Sequence, residues 1–548
     1  METGYSSKTL NHLGLVAGMC DRLGLVEEID KVLPAADNQQ LISNGTCVKA
    51  LILNGLGFVE RRLYLVSQFF EDKPVSHLLG EGVQSEQLND DRLARCLDSL
   101  YAFGVSELFS LLSFKACQVL GLGQEQSPSF LHLDSSSFHL DGVYNSEAPQ
   151  EDLGDCIQVC QGYSRDHRPD LNQVILNLVV EHSAGIPLMM EALSGNTSDA
   201  KSFRSTIQDY ISRLTPEAPR VCWVADSALY NQESLSKIST QSDWISRVPE
   251  RISEAKALLD EIKVAEMKAF SEESLSSYRY QKVASQYAGI AQSWLVIFSE
   301  QAYERQIKSL HKQYSQQGLQ ECKALESLSR QVFTCQEDAQ KALDKFEKSL
   351  KMSYLAQKEL LQMTGYSKAG RPAKDQAPQV LGYQVKACLA SKLDAYEKLR
   401  ERQGKFILAS HQSQELCTDG QLLIAYKNQS KVERGFRFLK DKQFMASTLF
   451  VKKPQRLEAI LMIMSLCLLV YAALERELRQ ELQQKNETVP NQLKKQIQNP
   501  TMRWIFALLA GIHCLYIHDQ MIILNLNDTQ RKIIKLLGNT SKKYYQLE

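Results

Sequence analysis

The chain has 548 residues, 44% of them hydrophobic and 23% charged, with a formal net charge of −1. Such a length calls for several domains or one heavily decorated fold, and the composition is that of a globular chain and excludes a disordered one. Near-neutrality excludes a uniformly acidic or basic surface, so any electrostatic recognition has to be local.

Residues 1–125 read as a helical N-terminal domain. Leucines recur at helical spacing in LGLVAGMCDRLGLVEEIDKVL and DDRLARCLDSLYAFGVSELFSLLSFKACQVL, separated by Gly-, Asn- and Pro-containing breaks. The opening METGYSSKTLNHLG has no basic stretch followed by an apolar one, so no signal peptide is expected. The thirteen cysteines include no C-x-x-C pair, Cys156 and Cys160 being the nearest two, and read as reduced thiols of a cytoplasmic protein.

At residue 126 the pattern changes. SFLHLDSSSFHLDG alternates apolar and polar residues as a strand does, and NQVILNLVVEH, GIPLMMEALSG and RVCWVADSALY follow as further strands. From 259 to 400 the chain is rich in Lys, Glu, Gln and Ser. Its apolar stripe (Leu325, Leu328, Val332, Cys335, Ala339, Leu343, Phe346, Leu350) predicts a long amphipathic helix or a helical hairpin broken near Gly318. That segment either packs on itself or dimerises as a coiled coil. Strand character returns at GKFILASH and DGQLLIAY within 401–480, and 481–548 reads as a helical C-terminal region. The run AILMIMSLCLLVYAAL, Ala459 to Leu474, is flanked by Glu458 and Glu475 and reads as a buried core helix, not a membrane span. A sheet split between 126–258 and 401–480 by a helical block describes one α/β core carrying a large insertion.

Three carboxylates stand out by position. Asp134 lies inside the first strand, where aspartate is disfavoured. Asp226 ends the apolar strand VCWVAD, where side chains project into sites. Glu433 sits within YKNQSKVERGFRFLKD, whose projection as one helix gathers Tyr426, Gln429, Glu433, Arg437 and Lys440 into an arc of roughly 80°. Val432, Phe436 and Leu439 fall beside that arc as a core face. From Tyr426 to Arg456 nine Lys or Arg oppose only Glu433 and Asp441, a local excess of +7 in a chain of net −1. Such a patch is the footprint of phosphate-backbone contact. Phosphodiester chemistry also needs charge neutralised on attacking and leaving oxygens, which two divalent ions held by carboxylates achieve.

LHLDSSSF, VADSALY and YKNQSKVERGFRFLK together resemble the DDE transposases of bacterial insertion sequences. The match is with the branch whose helix reads Y-x2-R-x3-E-x6-K, and specifically with the subgroup carrying VERGFRFLK. Tyr426, Glu433 and Lys440 fill their places, while Gln429 stands where the pattern has arginine. GYSRDHRPDLNQ, SGNTSD and LNHLGLVAGMCDRLGLVEEID resemble further segments of that subgroup. The 92 residues from Asp134 to Asp226 suit an RNase H-like sheet, and the 207 from Asp226 to Glu433 leave room for the insertion. The resemblance implies an RNase H-like mixed sheet with helical N- and C-terminal domains. It implies that Asp134, Asp226 and Glu433 hold two Mg2+ ions, with Mn2+ as a substitute, and that Tyr426, Gln429, Arg437 and Lys440 contact DNA. Gln429 lacks the charged fork of arginine, and Arg437 could compensate.

The implied partners are double-stranded DNA, as transposon terminal repeats and target, and a second copy of the chain in the synaptic complex. Localisation is then cytoplasmic, on the nucleoid when DNA-bound. The competing readings are a catalytically dead or domesticated DNA-binding derivative, a different RNase H-like nuclease, and a coiled-coil scaffold. Trp244 or Trp504 could stack on a displaced base or simply fill a core. His139, Arg165, His167 and Arg168 lie near the aspartates in sequence, His167 as a ligand or as a polar turn residue.

Overall fold

The computed structural model describes residues 5–34, 42–58, 65–122, 129–140, 156–163, 168–212, 221–366, 377–412, 417–441, 453–518 and 520–548. Two compact units emerge: Met1–Ser246 with Gln286–Gln292 and Ser410–Glu548, and Arg247–Ser285 with Ser293–Ala409.

The first unit begins with a short strand, β1 (Tyr5–Thr9), and then the predicted helices: α1 (Leu13–Arg22), α2 (Leu25–Val32), α3 (Asn44–Leu56), α4 (Val66–Phe70), α5 (Val75–Leu79), α6 (Asp90–Phe103) and α7 (Val105–Val119). Local chemistry sets their starts. Ser43 accepts the Thr46 amide at the head of α3, and Asn89 accepts that of Arg92 at the head of α6. The four predicted strands form as β2 (Ser129–Leu140), β3 (Asn172–Glu181), β4 (Pro187–Ser194) and β5 (Val221–Ala225), with α8 (Asp199–Ser212) before β5. Then come α9 (Gln232–Ile238) and β6 (Asp243–Arg247). Their order is β4-β3-β2-β5-β6, with β3 antiparallel to its two neighbours and β2, β5 and β6 parallel to one another. This is a mixed sheet.

The second unit opens with α10 (Ser253–Glu261) and contains β7 (Lys268–Ala269), β8 (Tyr278–Ser285) and β9 (Gln292–Ser299). α11 (Glu300–Arg330), α12 (Gln336–Ser349), the ribbon β10 (Ser353–Gly365) and β11 (Gln379–Ser391), α13 (Leu393–Arg402) and β12 (Lys405–His411) complete it. Four strands run in the order β12-β9-β8-β7. The expected mainly helical insertion is therefore mixed. α11 passes through Gly318 unbroken, and the hairpin turn falls after Arg330. The predicted stripe supplies Leu328, Ala339, Leu343 and Leu350 to a core shared with Leu355 and Val385 of the antiparallel ribbon. Val332 is 56% exposed.

Back in the first unit, DGQLLIAY, expected as a strand, is α14 (Asp419–Lys427). Thr418 and Gln421 form a reciprocal capping box that starts it. α15 (Ser430–Leu439) and the 31-residue α16 (Pro454–Gln484) follow. α16 is long and apolar enough to cross a membrane, yet 83% of its most apolar window is buried within the protein. It packs against α1, α3, α6, α7, β4 and α15, and every residue from Ala459 to Val470 is buried. Arg456 at its head forks onto Asp98 of α6, Nε to Oδ1 and Nη2 to Oδ2, both at 2.7 Å.

The C-terminal region is not all helical. Beside α17 (Met502–Leu508), α18 (Asp528–Leu536) and α19 (Asn539–Lys542) it holds the paired dipeptides β13 (Val489–Pro490) and β14 (Gln496–Ile497), then β15 (His513–Ile517) and β16 (Gln520–Leu524). β15 pairs antiparallel with β1, Tyr5 opposite Ile517, so the two ends of the chain share one sheet.

Candidate active site

The aspartates meet through strand register. β2 and β5 are parallel, and their last paired residues are Leu133 and Ala225. One step further stand Asp134 and Asp226, on neighbouring strands spaced about 4.8 Å apart and on the same side of the sheet. Asp134 Oδ1 accepts the Ser135 amide at 2.8 Å. Asp226 Oδ1 accepts the Ala228 amide at 2.9 Å, which fixes the turn leaving β5. Its backbone carbonyl accepts the Ser246 hydroxyl of β6 at 2.7 Å. Both aspartates are half-buried.

Alternation along β2 puts His132, Asp134, Ser136 and Phe138 on one face. α15 packs on that strand and covers this face. At its head the Gln429 amide donates to the Leu133 carbonyl at 2.9 Å, and Gln429 Oε1 lies 3.0 Å from His132 Nδ1. At its tail Lys440 Nζ stands 5.7 Å from the centre of the Phe138 ring. Eleven helical residues span about 16 Å, and five strand residues span about the same. Helix and strand therefore run alongside each other in the same direction. Glu433 lies about 6 Å along from Gln429 and Asp134 about 3 Å along from Leu133, an offset of about 3 Å along the shared direction. Val432, Phe436 and Leu439 are buried, as their spacing predicted, while Glu433 is exposed. Gly435 lets α15 approach α16: a Cβ there would lie 3.0 Å from Leu468 Cδ2.

Two expectations change here. Tyr426 belongs to α14, because the chain steps between helices at Asn428–Gln429, so one continuous projection does not hold. Gln429, expected to touch DNA, is only 7% exposed, with its amide engaged by Leu133 and His132. It is a structural link between helix and strand. His132 in turn lies 2.9 Å from His182 Nδ1, whose Nε2 is 3.1 Å from Asn428 Nδ2. Burial pushes His132 down to about 3 and also lowers His182, with the Lys431 charge adding to both.

The basic patch also divides. Lys431 Nζ is spent on the carbonyls of His182 (2.6 Å) and Ser183 (2.9 Å), and burial lowers its pKa. Arg456 is committed to Asp98, and Asp441 pairs with Arg503. Lys427, Arg434, Arg437 and Lys453 are exposed, and Lys442 and Lys452 lie outside the described residues. Trp244 is fully buried and donates to Ser239 Oγ; Trp504 is half-buried and donates to the Pro490 carbonyl. Both are packing residues. Arg165 and His167 lie outside the described residues, and Arg168 forms an exposed pair with Asp170. All thirteen cysteines are free thiols.

Sequence reasoning undervalued the glycines of QGYS and SGNT. A Cβ on Gly162 would lie 2.0 Å from the Gly195 carbonyl oxygen, and one on Gly195 2.2 Å from that of Gln173. Three backbone segments are pressed together there, and Gln173 Nε2 ties them by donating to the carbonyls of Gly195 (2.8 Å) and Tyr163 (3.1 Å).

Among the described residues, no three His, Cys, Asp or Glu side chains are gathered closely enough to hold a metal ion. What the fold preforms is the aspartate pair. Two adjacent carboxylates are hard oxygen donors of the kind Mg2+ accepts while keeping several waters, so the pair fits such an ion.

A family model described as "Transposase DDE domain" matches residues 126–470, and one described as a domain of unknown function (DUF4277) matches residues 5–114. No curated protein matches the chain. Among solved structures, a cryo-EM structure of the piggyBac transposase synaptic complex with hairpin DNA is similar at 9% identity and a TM-score of 0.36, covering 98% of this chain and 87% of that one. So distant a likeness carries no argument. The family match spans well over half the sequence and includes Asp134, Asp226 and Glu433, and on that basis the chain belongs to the transposase DDE-domain family.

Proposed function

We propose that this protein is an RNase H-like, metal-dependent DNA transposase that cuts and joins strands at the ends of its own bacterial insertion sequence. The observation that carries the reading is the parallel register of β2 and β5, whose last pair, Leu133 and Ala225, directly precedes Asp134 and Asp226, with the Glu433 helix laid along the same strand. Asp134 and Asp226, joined by Glu433 once DNA is bound, are the residues that would hold Mg2+ or Mn2+. The ions would neutralise charge on the reacting phosphodiester. Asp134 and Asp226 are held in place by the Ser135 and Ala228 amides, which fix the aim of each carboxylate. Arg437, exposed one turn beyond Glu433, presents a guanidinium to flanking phosphate, with Lys440 and Tyr426 at the margins. Two DNA ends held together imply a homodimer in the synaptic complex, acting in the cytoplasm.

The test is strand cleavage and joining on duplex DNA carrying the inverted repeats that flank the gene, with Mg2+. Asp134→Asn and Asp226→Asn should each lower the rate by a factor on the order of a thousand. Glu433→Gln should lower it comparably with little change in DNA affinity. Undiminished cleavage by either aspartate variant would remove the assignment. A wild type that binds the repeats but never cuts them would favour the domesticated derivative.

A further inference from the structure

We propose that Asn428, His182, His132 and Gln429 form a one-way hydrogen-bond lock that sets the Glu433 helix against the Asp134 strand. His132, His182 and Gln429 are then positioning residues for the catalytic reading above, on which the lock's purpose rests.

The direction of the lock follows from one backbone carbonyl. The Leu133 carbonyl only accepts, so the Gln429 side chain must turn its NH2 toward it, at 2.9 Å. That leaves Oε1 facing His132, so His132 Nδ1 must carry the proton and donate across 3.0 Å. The fully buried His132 ring has no carboxylate among its hydrogen-bond partners to balance a charge, so its Nε2 is bare and accepts from His182 Nδ1–H at 2.9 Å. His182 Nε2 is bare in turn and accepts from the Asn428 NH2 at 3.1 Å. Each side chain has one orientation and each histidine one tautomer. The two rings lie nearly parallel, 14° apart.

The lock begins and ends on consecutive residues, Asn428 and Gln429, at the step between α14 and α15. Between them it passes through β2 and the end of β3. Lys431 Nζ, donating to the His182 and Ser183 carbonyls, holds the same β3 end. His132 is fully buried and Gln429 nearly so, which keeps water from the inner half of the lock, while His182 and Asn428 are half-buried. Glu433 follows Gln429 by one turn, so a rotation or slip of α15 moves its carboxylate directly. Displacement of a catalytic group by about 1 Å can cost on the order of a hundredfold in rate.

Full-length protein with 15N-labelled histidine should show His132 and His182 as neutral Nδ1–H tautomers at pH 7.5. The two would be assigned through His132→Phe and His182→Gln. An Nε2–H tautomer at either residue overturns the lock, whether or not any DNA is cut. On end-containing DNA, His182→Gln keeps a donor and an acceptor in the same order and should cleave within a few-fold of wild type. His182→Leu and Gln429→Leu should lose about ten- to a hundredfold in single-turnover rate, with DNA Kd within twofold. Wild-type rates in both leucine variants would overturn the positioning role. A wild type that cuts no DNA would instead overturn the transposase reading, and with it the lock's catalytic purpose.

Discussion

His12 makes the fold sensitive to acid in a way that can be calculated. It precedes α1, is 9% exposed, and its Nε2–H donates to the Leu56 carbonyl at 2.8 Å. Its ring stacks on Phe506, with centroids 4.2 Å apart. Burial, reinforced by the Lys73 charge and opposed by the Leu56 bond, lowers its pKa from 6.5 to about 4. The folded value lies below the unfolded one, so protonation favours unfolding. Stability is intact above pH 6.5, is lost as the pH falls through 6.5, and stops falling below about 4. At pH 5 nearly all unfolded molecules are protonated at this site and only about a tenth of folded ones, a loss of about 2 kcal/mol, reaching about 3 kcal/mol below pH 4. His132 pulls the same way, so the comparison has to be with His12→Gln, which keeps a donor for Leu56 but does not titrate. Urea unfolding followed by tryptophan fluorescence at pH 7.5 and 5.0 should show wild type losing about 2 kcal/mol more than the variant. Equal losses would mean that His12 is solvated or charged in the folded protein, and the reasoning would fail.

Gly195→Ala would press a Cβ to 2.2 Å from the Gln173 carbonyl oxygen and 2.4 Å from that of Cys160, both backbone atoms that cannot swing away. A loss of about 3 kcal/mol or more is expected, read as a lowered denaturation midpoint. Magnesium at a hundred times its Kd should stabilise the wild type by about 2.7 kcal/mol, read as a raised thermal midpoint, and should not stabilise Asp134→Asn. Identical shifts in the two proteins would place the ion elsewhere.

The parts of this fold legible in the sequence are those fixed by residues close to one another. Alternation in LHLDSSSF defines both a strand and the face that carries Asp134, and the spacing of Val432, Phe436 and Leu439 defines the buried side of α15. The same local reading missed α14, because a short apolar run fits helix and strand equally. The Thr418–Gln421 capping box was the available signal. It also placed a break at Gly318, where a single glycine costs a long helix only about 1 kcal/mol. Nothing local could show that Gln429 is buried. Its burial depends on His132 and the Leu133 carbonyl, 297 and 296 residues away. Nor could it show that β1 pairs with β15, or that Lys431 and Arg456 are spent inside the protein while Arg434 and Arg437 stay at its surface. By itself the sequence determined which residues could serve chemistry and which faces had to be covered. Strand register and helix packing decided which of them meet, because hydrogen-bond partners and burial belong to neighbours in space and not in the chain.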